Sequence, residues 1–360
     1  MLLALVSTAA LASEPVSPLV EELLPRVVKV MGLPMPRKVK VKIVSRAEAE
    51  RLLRRDFDGP TLERLGEALE AIGVLPLKTR LETLAPDFHR QNVSGFYDLR
   101  EHTLYLLADQ TDEAQRPIIA HELAHAVQDA NVELAQAMKA LRNSEDAQLA
   151  FTAVLEGQAQ ATAALVMDGW LRDQHVAVEG MAGLLSDTTA RSAAEAADQA
   201  PVPYLGMQLS FPYVAGRELI AALGTPADPI ARGLLIKPPA STAQVMEPSR
   251  TAAPLSGALR LEKLIPGSRR SVGTTLGRAH LELLGAGLGQ GWRGDRLESV
   301  RVAGKVAVVW IIAFETADQA STFAAAVKGV AEEATVILMV GVPAQREAAL
   351  RSAALGVFKR

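Results

Sequence analysis

One short segment of the sequence carries residue types and a spacing that suit metal chemistry. His121 and His125 stand four positions apart with Glu122 between them, in the pattern HExxH. The flanking residues, from Pro117 to Val127, are otherwise mostly apolar and predict a helix. Residues four apart share one face of a helix, so both imidazoles can bind one ion. Glu122 would then be placed to accept a proton from an attacking water and return it to a leaving amine.

The competing interpretation of this segment is a helix with two surface histidines and a solvated glutamate. Few other polar residues surround the motif, and burying His and Glu in apolar surroundings is costly unless something pairs with them. The sequence therefore favours a metal site, and Zn²⁺ is the expected ion because it binds imidazole nitrogen and carboxylate oxygen readily.

Two histidines leave a tetrahedral catalytic zinc site one protein ligand short. A metzincin would place a Gly and a third His where this chain has Gln128 and Asn131, which excludes that class. Glu133 lies 12 residues beyond His121, about 18 Å along a helix axis, and cannot reach the same ion. The third ligand must come from another element.

A second predicted helix, from about residue 144 to 167, brings four acids near enough to consider. Glu156 lies in an apolar stretch that should face inward, and it is the favoured third ligand. Glu145 and Asp146 stand at the polar start of the helix, where acids commonly cap the free backbone amides of the N-terminus. Asp168 stands at the far end, so these three remain open as rivals.

Other polar residues have both a functional and a structural interpretation. Asp129 follows His125 by four residues and could orient its imidazole, or it could be a solvated helix acid. Tyr213, in a predicted loop, could donate a hydrogen bond to an oxyanion or could anchor that loop by packing, and Tyr204 is a weaker candidate. The four remaining histidines lie in polar segments and are predicted to be solvated: His89, His102, His175 and His280.

The elements that must position these residues follow from periodicity and composition. Hydrophobic residues make up 49% and charged residues 22% of the 360, as in ordinary globular proteins. The absence of cysteine excludes thiol catalysis and cysteine zinc sites, and a net charge of −3 argues against a nucleic-acid partner. No segment is long and apolar enough to predict a stable membrane span. We predict a hairpin over 95–107, a long helix over 112–138, and loops around a short helix near 216–223 over residues 201–254. The tail is predicted to be a small α/β unit that could pack separately.

Several pieces of the chain resemble the gluzincin group of zinc metallopeptidases, and more closely a set of secreted bacterial metallopeptidases of unsettled function. The resemblance covers roughly residues 90–300. It rests on Gly95–Asp98 with Thr103–Leu106, His121–Asp129, Leu155–Ala159, Phe211–Gly216 and Pro238–Gln244, with a weaker echo at Gly291–Arg296. In thermolysin-like gluzincins an Asp four residues after the glutamate ligand orients a histidine. The resemblance places Gln160 there, whose amide oxygen could accept from an imidazole without carrying charge.

Together these observations predict an α+β protein. Residues 1–12 are predicted to be a signal peptide, 13–90 an N-terminal region, 91–254 a zincin-like, helix-rich catalytic region with a small mixed sheet, and 255–360 a C-terminal α/β unit. The expected activity is zinc-dependent hydrolysis of a peptide or protein substrate in the periplasm or outside the cell, with strand 103–107 pairing with the substrate if it lies at a sheet edge. The alternative is a zinc-bearing binding module without turnover, distinguished by a blocked cleft.

Overall fold

The computed structural model describes residues 16–35, 38–55, 57–108, 112–176, 180–250 and 253–358. Within them the chain is α+β, with two small sheets among many helices, as predicted. The predicted signal peptide, residues 1–12, lies outside the described residues. No helix among the described residues combines the length and the apolarity that a membrane span needs.

The first sheet is built from the N-terminal third of the chain. Its strands are β1 (Lys40–Val44), β2 (Gly95–Asp98) and β3 (Thr103–Leu107), in the order β1-β3-β2. The antiparallel pairing of β2 with β3 confirms the predicted hairpin, and β1 joins β3 in parallel. The expectation that 103–107 could lie at a sheet edge is wrong because β1 covers its free side. The helices of this part are α1 (Val16–Met31), α2 (Arg46–Arg54), α3 (Gly59–Ala71) and α4 (Leu81–Gln91).

Two long helices carry the HExxH segment and its predicted third ligand. They are α5 (Asp112–Val132) and α7 (Glu145–Asp173), with the short α6 (Leu134–Ala140) between them. The single helix predicted over 112–138 is interrupted at Glu133, whose φ of 50° is left-handed and ends the α5 geometry. At the start of α7, the Ser144 side chain accepts from the Ala147 amide, as an N-cap should.

The region after α7 is largely helical, whereas the sequence predicted loops around a single short helix over 201–254. It contains α8 (Met181–Asp198), α9 (Pro203–Leu223), α10 (Pro229–Ile236) and α11 (Thr242–Met246). Pro203 and Pro229 occupy first helical positions, where a proline costs no intrahelical hydrogen bond. These two prolines therefore mark helix starts.

The C-terminal part forms a five-stranded sheet with flanking helices. Its strands are β4 (Arg269–Thr274), β5 (Trp292–Val302), β6 (Lys305–Phe314), β7 (Val330–Glu332) and β8 (Thr335–Val340), in the order β4-β5-β6-β8-β7. Its helices are α12 (Leu261–Leu264), α13 (Arg278–Glu282), α14 (Ala317–Val327) and α15 (Glu347–Leu355). Residues 292–295 begin the longest strand of this sheet.

The C-terminal sheet does not pack separately from the rest of the chain. One hydrophobic core contains Trp292 and Trp310 of the sheet, Leu69 of α3, Leu81 of α4 and Leu205 of α9. Burial of large apolar side chains at such a contact is the main favourable term in folding. The N-terminal region, the long helices and the C-terminal sheet therefore share a core.

Candidate metal centre

Three potential metal ligands from α5 and α7 meet at one point. The Nε2 atoms of His121 and His125 are 3.1 Å apart. One oxygen of Glu156 lies 3.1 Å from Nε2 of His121 and 3.7 Å from Nε2 of His125. Ligand atoms that share a tetrahedral zinc ion at about 2.0–2.2 Å stand about 3.3–3.6 Å from one another. The spacing of the three groups therefore matches a cluster that could hold a metal ion.

The cluster lies in the interior of the protein. His121 and His125 are 0% exposed, and Glu156 is 2% exposed. Leu23 of α1, Leu123 of α5 and Ala159 of α7 belong to one hydrophobic cluster, which joins α1 to the two helices that carry the potential ligands. A carboxylate is rarely buried without a partner, and here two imidazoles face it. Burial would raise the pKa of Glu156, but the hydrogen bonds and charges of His121 and His125 lower it to about 2.

Glu122 lies beside this cluster and has no hydrogen-bond partner for either carboxylate oxygen among the described residues. It is 0% exposed, and burial raises its pKa to about 8, while His125 lowers that pKa and Glu156 raises it further. The backbone amide of Tyr97 on β2 lies close enough to this carboxylate to lower its pKa as well, although the contact is outside normal hydrogen-bond geometry. An orphaned buried carboxylate next to two imidazoles and a third carboxylate suits a group that handles protons at a metal centre.

His125 is held by Gln128, whose only part in the sequence-based prediction was to exclude the metzincin class. Its Nδ1 contacts Oε1 of Gln128 at 2.8 Å, while the amide nitrogen of Gln128 donates to the Leu155 carbonyl at 3.0 Å. Gln128 lies three residues after His125, so helix geometry alone allows the first contact. The second contact depends on how α7 packs against α5.

Asp129 does not orient His125, which corrects the sequence-based expectation. Its carboxylate accepts from the Tyr97 hydroxyl at 3.0 Å and from the Leu134 amide at 3.0 Å, and lies 2.8 Å from Nδ1 of His102. Both ring nitrogens of His125 are accounted for by other groups. Asp129 instead ties α5 to β2, to the turn after it and to the start of α6.

Gln160 makes no hydrogen bond through either end of its amide among the described residues, although it is 2% exposed. Nδ1 of His121 likewise lacks a hydrogen-bond partner within the described chain. The contact that the resemblance implied, from an imidazole to the Gln160 amide, is therefore not made in this structure.

Tyr213 stands next to the first histidine. It belongs to α9, not to a loop, and its ring is nearly parallel to that of His121, with 6.3 Å between the ring centres. It is 3% exposed. A close crossing of α9 over α7 brings it there: an added Cβ on Gly216 would overlap the backbone of Ala153, so only glycine permits this approach.

The rival carboxylates all have other partners, away from the cluster. Asp146 accepts from the backbone and side chain of Thr242, and Asp168 pairs with Arg172 one helical turn later. Glu145 receives the Tyr204 hydroxyl at 3.5 Å. Of the four acids considered on α7, only Glu156 reaches the histidines.

The prediction that the other four histidines are solvated is correct for only part of the set. His175 is exposed, and His102 is half exposed but contacts Asp129. His280 is 0% exposed, and its Nε2 lies 3.3 Å from the Gln208 amide nitrogen. His89 packs its ring edge-on against Phe57. Burial lowers the pKa values of both His89 and His280 to about 4.

The residues present fit a divalent ion of the zinc type, since imidazole nitrogens with one carboxylate form a recognised ligand set. The fit rests on the converging donor atoms and on the orphaned oxygens of Glu122 beside them. Neither a protein-family model, nor a curated protein, nor a solved structure matches this chain.

Proposed function

We propose that this protein is a zinc-dependent peptide hydrolase with a zincin-like site. The observation that carries the proposal is the convergence of His121, His125 and Glu156 on one point with the unbonded carboxylate of Glu122 beside it. Among the described residues the cluster supplies three potential protein ligands. Three protein ligands are typical of catalytic zinc sites, whereas structural sites usually have four.

Each residue then has a role that its position supports. When bound, zinc would supply Lewis acidity that polarises a peptide carbonyl and acidifies water. Glu122 would accept the proton of the attacking water and deliver it to the leaving amine. Tyr213 would donate from its hydroxyl to the negative charge that develops on the carbonyl oxygen. His121, His125 and Glu156 would hold the ion.

An extended substrate would pair with the outer strand of the first sheet, β2, once the elements that bury that strand have parted. β2, not β3, is the strand next to α5 at the sheet edge, and the backbone of its Tyr97 acts on the Glu122 carboxylate. An extended peptide can add to a sheet edge through main-chain hydrogen bonds. Pairing along β2 would therefore bring a peptide bond towards Glu122.

A second candidate function is a zinc-bearing module that binds its ion without turnover. Its support is the burial of the site: His121, Glu122 and His125 are fully buried and Tyr213 is 3% exposed. A peptide reaches such a site only after the surrounding elements part. The presence of Glu122, which a purely structural site does not need, favours the hydrolase.

The two candidates are separated by a pair of glutamate variants. Glu156→Gln should lose tight zinc binding because an amide oxygen is a weaker ligand than a carboxylate. Glu122→Gln should retain one zinc per chain and lose about 10²–10⁴ of the hydrolysis rate, because an amide cannot accept the proton. Metal content after zinc reconstitution and cleavage of a mixed peptide library, followed by mass spectrometry, provide the two measurements.

Glu133→Gln is the matched control, since Glu133 is exposed and lies just after α5. It should keep both zinc and activity. A parental protein that binds zinc but cleaves no peptide would favour the binding module. A protein that stays metal-free after reconstitution would overturn both candidates. Export to the periplasm or beyond stays a prediction from the first 12 residues.

A further inference from the structure

Two buried glutamine amides form a hydrogen-bonded chain from the candidate metal site to a backbone carbonyl on another helix. Gln128 and Gln158, on α5 and α7, are 0% and 1% exposed. The amide nitrogen of Gln158 donates to the carbonyl of Ala231 on α10 at 2.6 Å. The amide nitrogen of Gln128 donates to Oε1 of Gln158 at 3.2 Å and to the carbonyl of Leu155 at 3.0 Å.

The two backbone carbonyls determine which way each amide points. A carbonyl oxygen only accepts hydrogen bonds, so the groups that face Ala231 and Leu155 must be the NH₂ ends of the glutamines. Turning either amide over would bring two oxygens together in the interior, at the cost of an unsatisfied buried pair. Oε1 of Gln128 must therefore face His125, 2.8 Å from its Nδ1.

This orientation in turn determines the tautomer of the imidazole. An amide oxygen accepts but cannot donate, so Nδ1 of His125 must carry the proton in the neutral ring. The lone pair then lies on Nε2, which is the nitrogen that faces His121 and Glu156. His121 has no comparable support, because its Nδ1 has no hydrogen-bond partner among the described residues.

We propose that Gln128 is a positioning residue that holds His125 with its Nε2 lone pair towards His121 and Glu156. Gln158 and the carbonyls of Leu155 and Ala231 orient Gln128 for this role. The contact with the Leu155 carbonyl also ties Gln128 to the backbone next to Glu156, so one side chain aligns ligands on two helices. The affinity part of this proposal rests on the proposed metal site, whereas the tautomer part does not.

The direct test is the tautomer of His125 in the metal-free protein. Long-range ¹H–¹⁵N spectra of protein with ¹⁵N-labelled histidine distinguish a proton on Nδ1 from one on Nε2, and a His125→Gln variant assigns the signal. The parental protein should show His125 with its proton on Nδ1. Gln128→Met, which keeps the volume but removes the amide, should show a mixture of both tautomers. An Nε2-protonated ring in the parental protein, or an unchanged tautomer in Gln128→Met, would overturn the proposal.

Zinc affinity provides the second measurement, by competition with a fluorescent chelator. Gln128→Met should bind zinc about 10–100-fold more weakly, as is usual when the hydrogen-bond partner of a metal-binding histidine is lost. Gln158→Met should lose less, because the Leu155 carbonyl still orients Gln128. Gln148→Met is the matched control, because Gln148 lies on the same helix, α7, and is only partly buried. It should leave affinity unchanged.

The outcomes separate this proposal from the proposed function. A parental protein that binds no zinc but holds His125 with its proton on Nδ1 would remove the metal site and keep the role of Gln128. Unchanged zinc affinity in Gln128→Met, with Gln148→Met equally unaffected, would show that Gln128 does not support the ligand. If Gln128→Met fails to fold, Gln158→Met and the parental spectrum decide the same question.

Discussion

At the residue scale, three buried glutamines around the cluster differ in what surrounds their amides. Gln128 and Gln158 satisfy their amides with a ring nitrogen and backbone carbonyls, whereas Gln160 satisfies neither end of its amide among the described residues. The residue type is the same, and all three are almost fully buried. Their different environments show that the atoms within hydrogen-bond distance, rather than burial, decide which polar side chain supports a ligand.

Tyr213→Phe tests the role of the tyrosine beside His121. The variant should bind zinc like the parental protein, because the proposed ligands are His121, His125 and Glu156. If the hydroxyl stabilises the oxyanion, peptide hydrolysis should fall about 10²–10³-fold, with the loss mainly in kcat. Steady-state kinetics on one cleaved peptide measure this split.

Tyr105→Phe serves as the control for Tyr213→Phe, since the hydroxyl of Tyr105 on β3 donates to Glu101, in the turn between β2 and β3, at 2.8 Å. It should leave kcat at the parental value. A Tyr213→Phe variant that is as active as Tyr105→Phe would reduce Tyr213 to a packing residue.

At the element scale, the placement of Tyr213 depends on how closely α9 crosses α7. Gly157 and Gly216 face each other there, and a methyl group on either would overlap backbone atoms of the opposite helix. Glycine is costly inside a helix, so its presence at both positions is explained by the close approach. The approach brings Phe211 and Leu219 of α9 into one cluster with Ala153 and Val154 of α7.

Gly216→Ala should therefore lower the free energy of unfolding by about 1–3 kcal/mol through overpacking. Gly169→Ala, also on α7, is the contrasting variant, because an added methyl there meets nothing within 4 Å. It should raise the free energy of unfolding by about 0.5–1 kcal/mol through helix propensity. Chemical denaturation of the two variants measures both effects, and equal stability of the two would contradict the close crossing.

At the scale of the whole molecule, a buried polar network joins the long helices to the C-terminal sheet. Asp146 at the start of α7 accepts from the amide and hydroxyl of Thr242, at 2.8 and 2.6 Å. Asp295 of β5 accepts from the indole nitrogens of Trp292 and Trp310 and from the backbone amides of residues 276 and 277. Thr242 lies in the Pro238–Gln244 segment, and Trp292 and Asp295 lie in the Gly291–Arg296 segment, so these contacts give both segments structural roles.

Asp146 makes the stability of this junction depend on pH. Burial raises its pKa from 3.8 to about 8, although the two Thr242 hydrogen bonds lower it. The folded state therefore keeps a proton that the unfolded chain has lost, so this contribution to stability is complete below about pH 4 and disappears as the pH rises through about 8. The slope is at most about 1.4 kcal/mol per pH unit.

Asp146→Asn keeps the acceptor for Thr242 and removes the titration. The variant should gain stability relative to the parental protein as the pH rises from 5 to 8, measured as the difference in the free energy of unfolding. Asp198→Asn, at an exposed position at the end of α8, controls for the loss of one acid. Parallel pH profiles for the parental protein and Asp146→Asn would show that Asp146 does not titrate in this range.

The sequence by itself determined the features that depend on neighbours along the chain. The four-residue spacing of His121 and His125 places both rings on one helix face whatever surrounds them. Two short strand-like segments on either side of a turn at 99–102 determined the hairpin of β2 and β3. The apolar neighbours of Glu156 indicated a buried carboxylate, and burial without a partner is too costly for an acid.

Tertiary structure alone decided the features that depend on distant parts of the chain. Gln128 can support His125 because its amide also donates to a carbonyl of α7, 27 residues later in the chain. Asp129 does not contact His125 because its carboxylate accepts from Tyr97, 32 residues earlier. β3 became a central strand because β1, far ahead in the chain, pairs with it. Local spacing sets which residues share a face, but only the packing of one element on another sets which donors and acceptors that face meets.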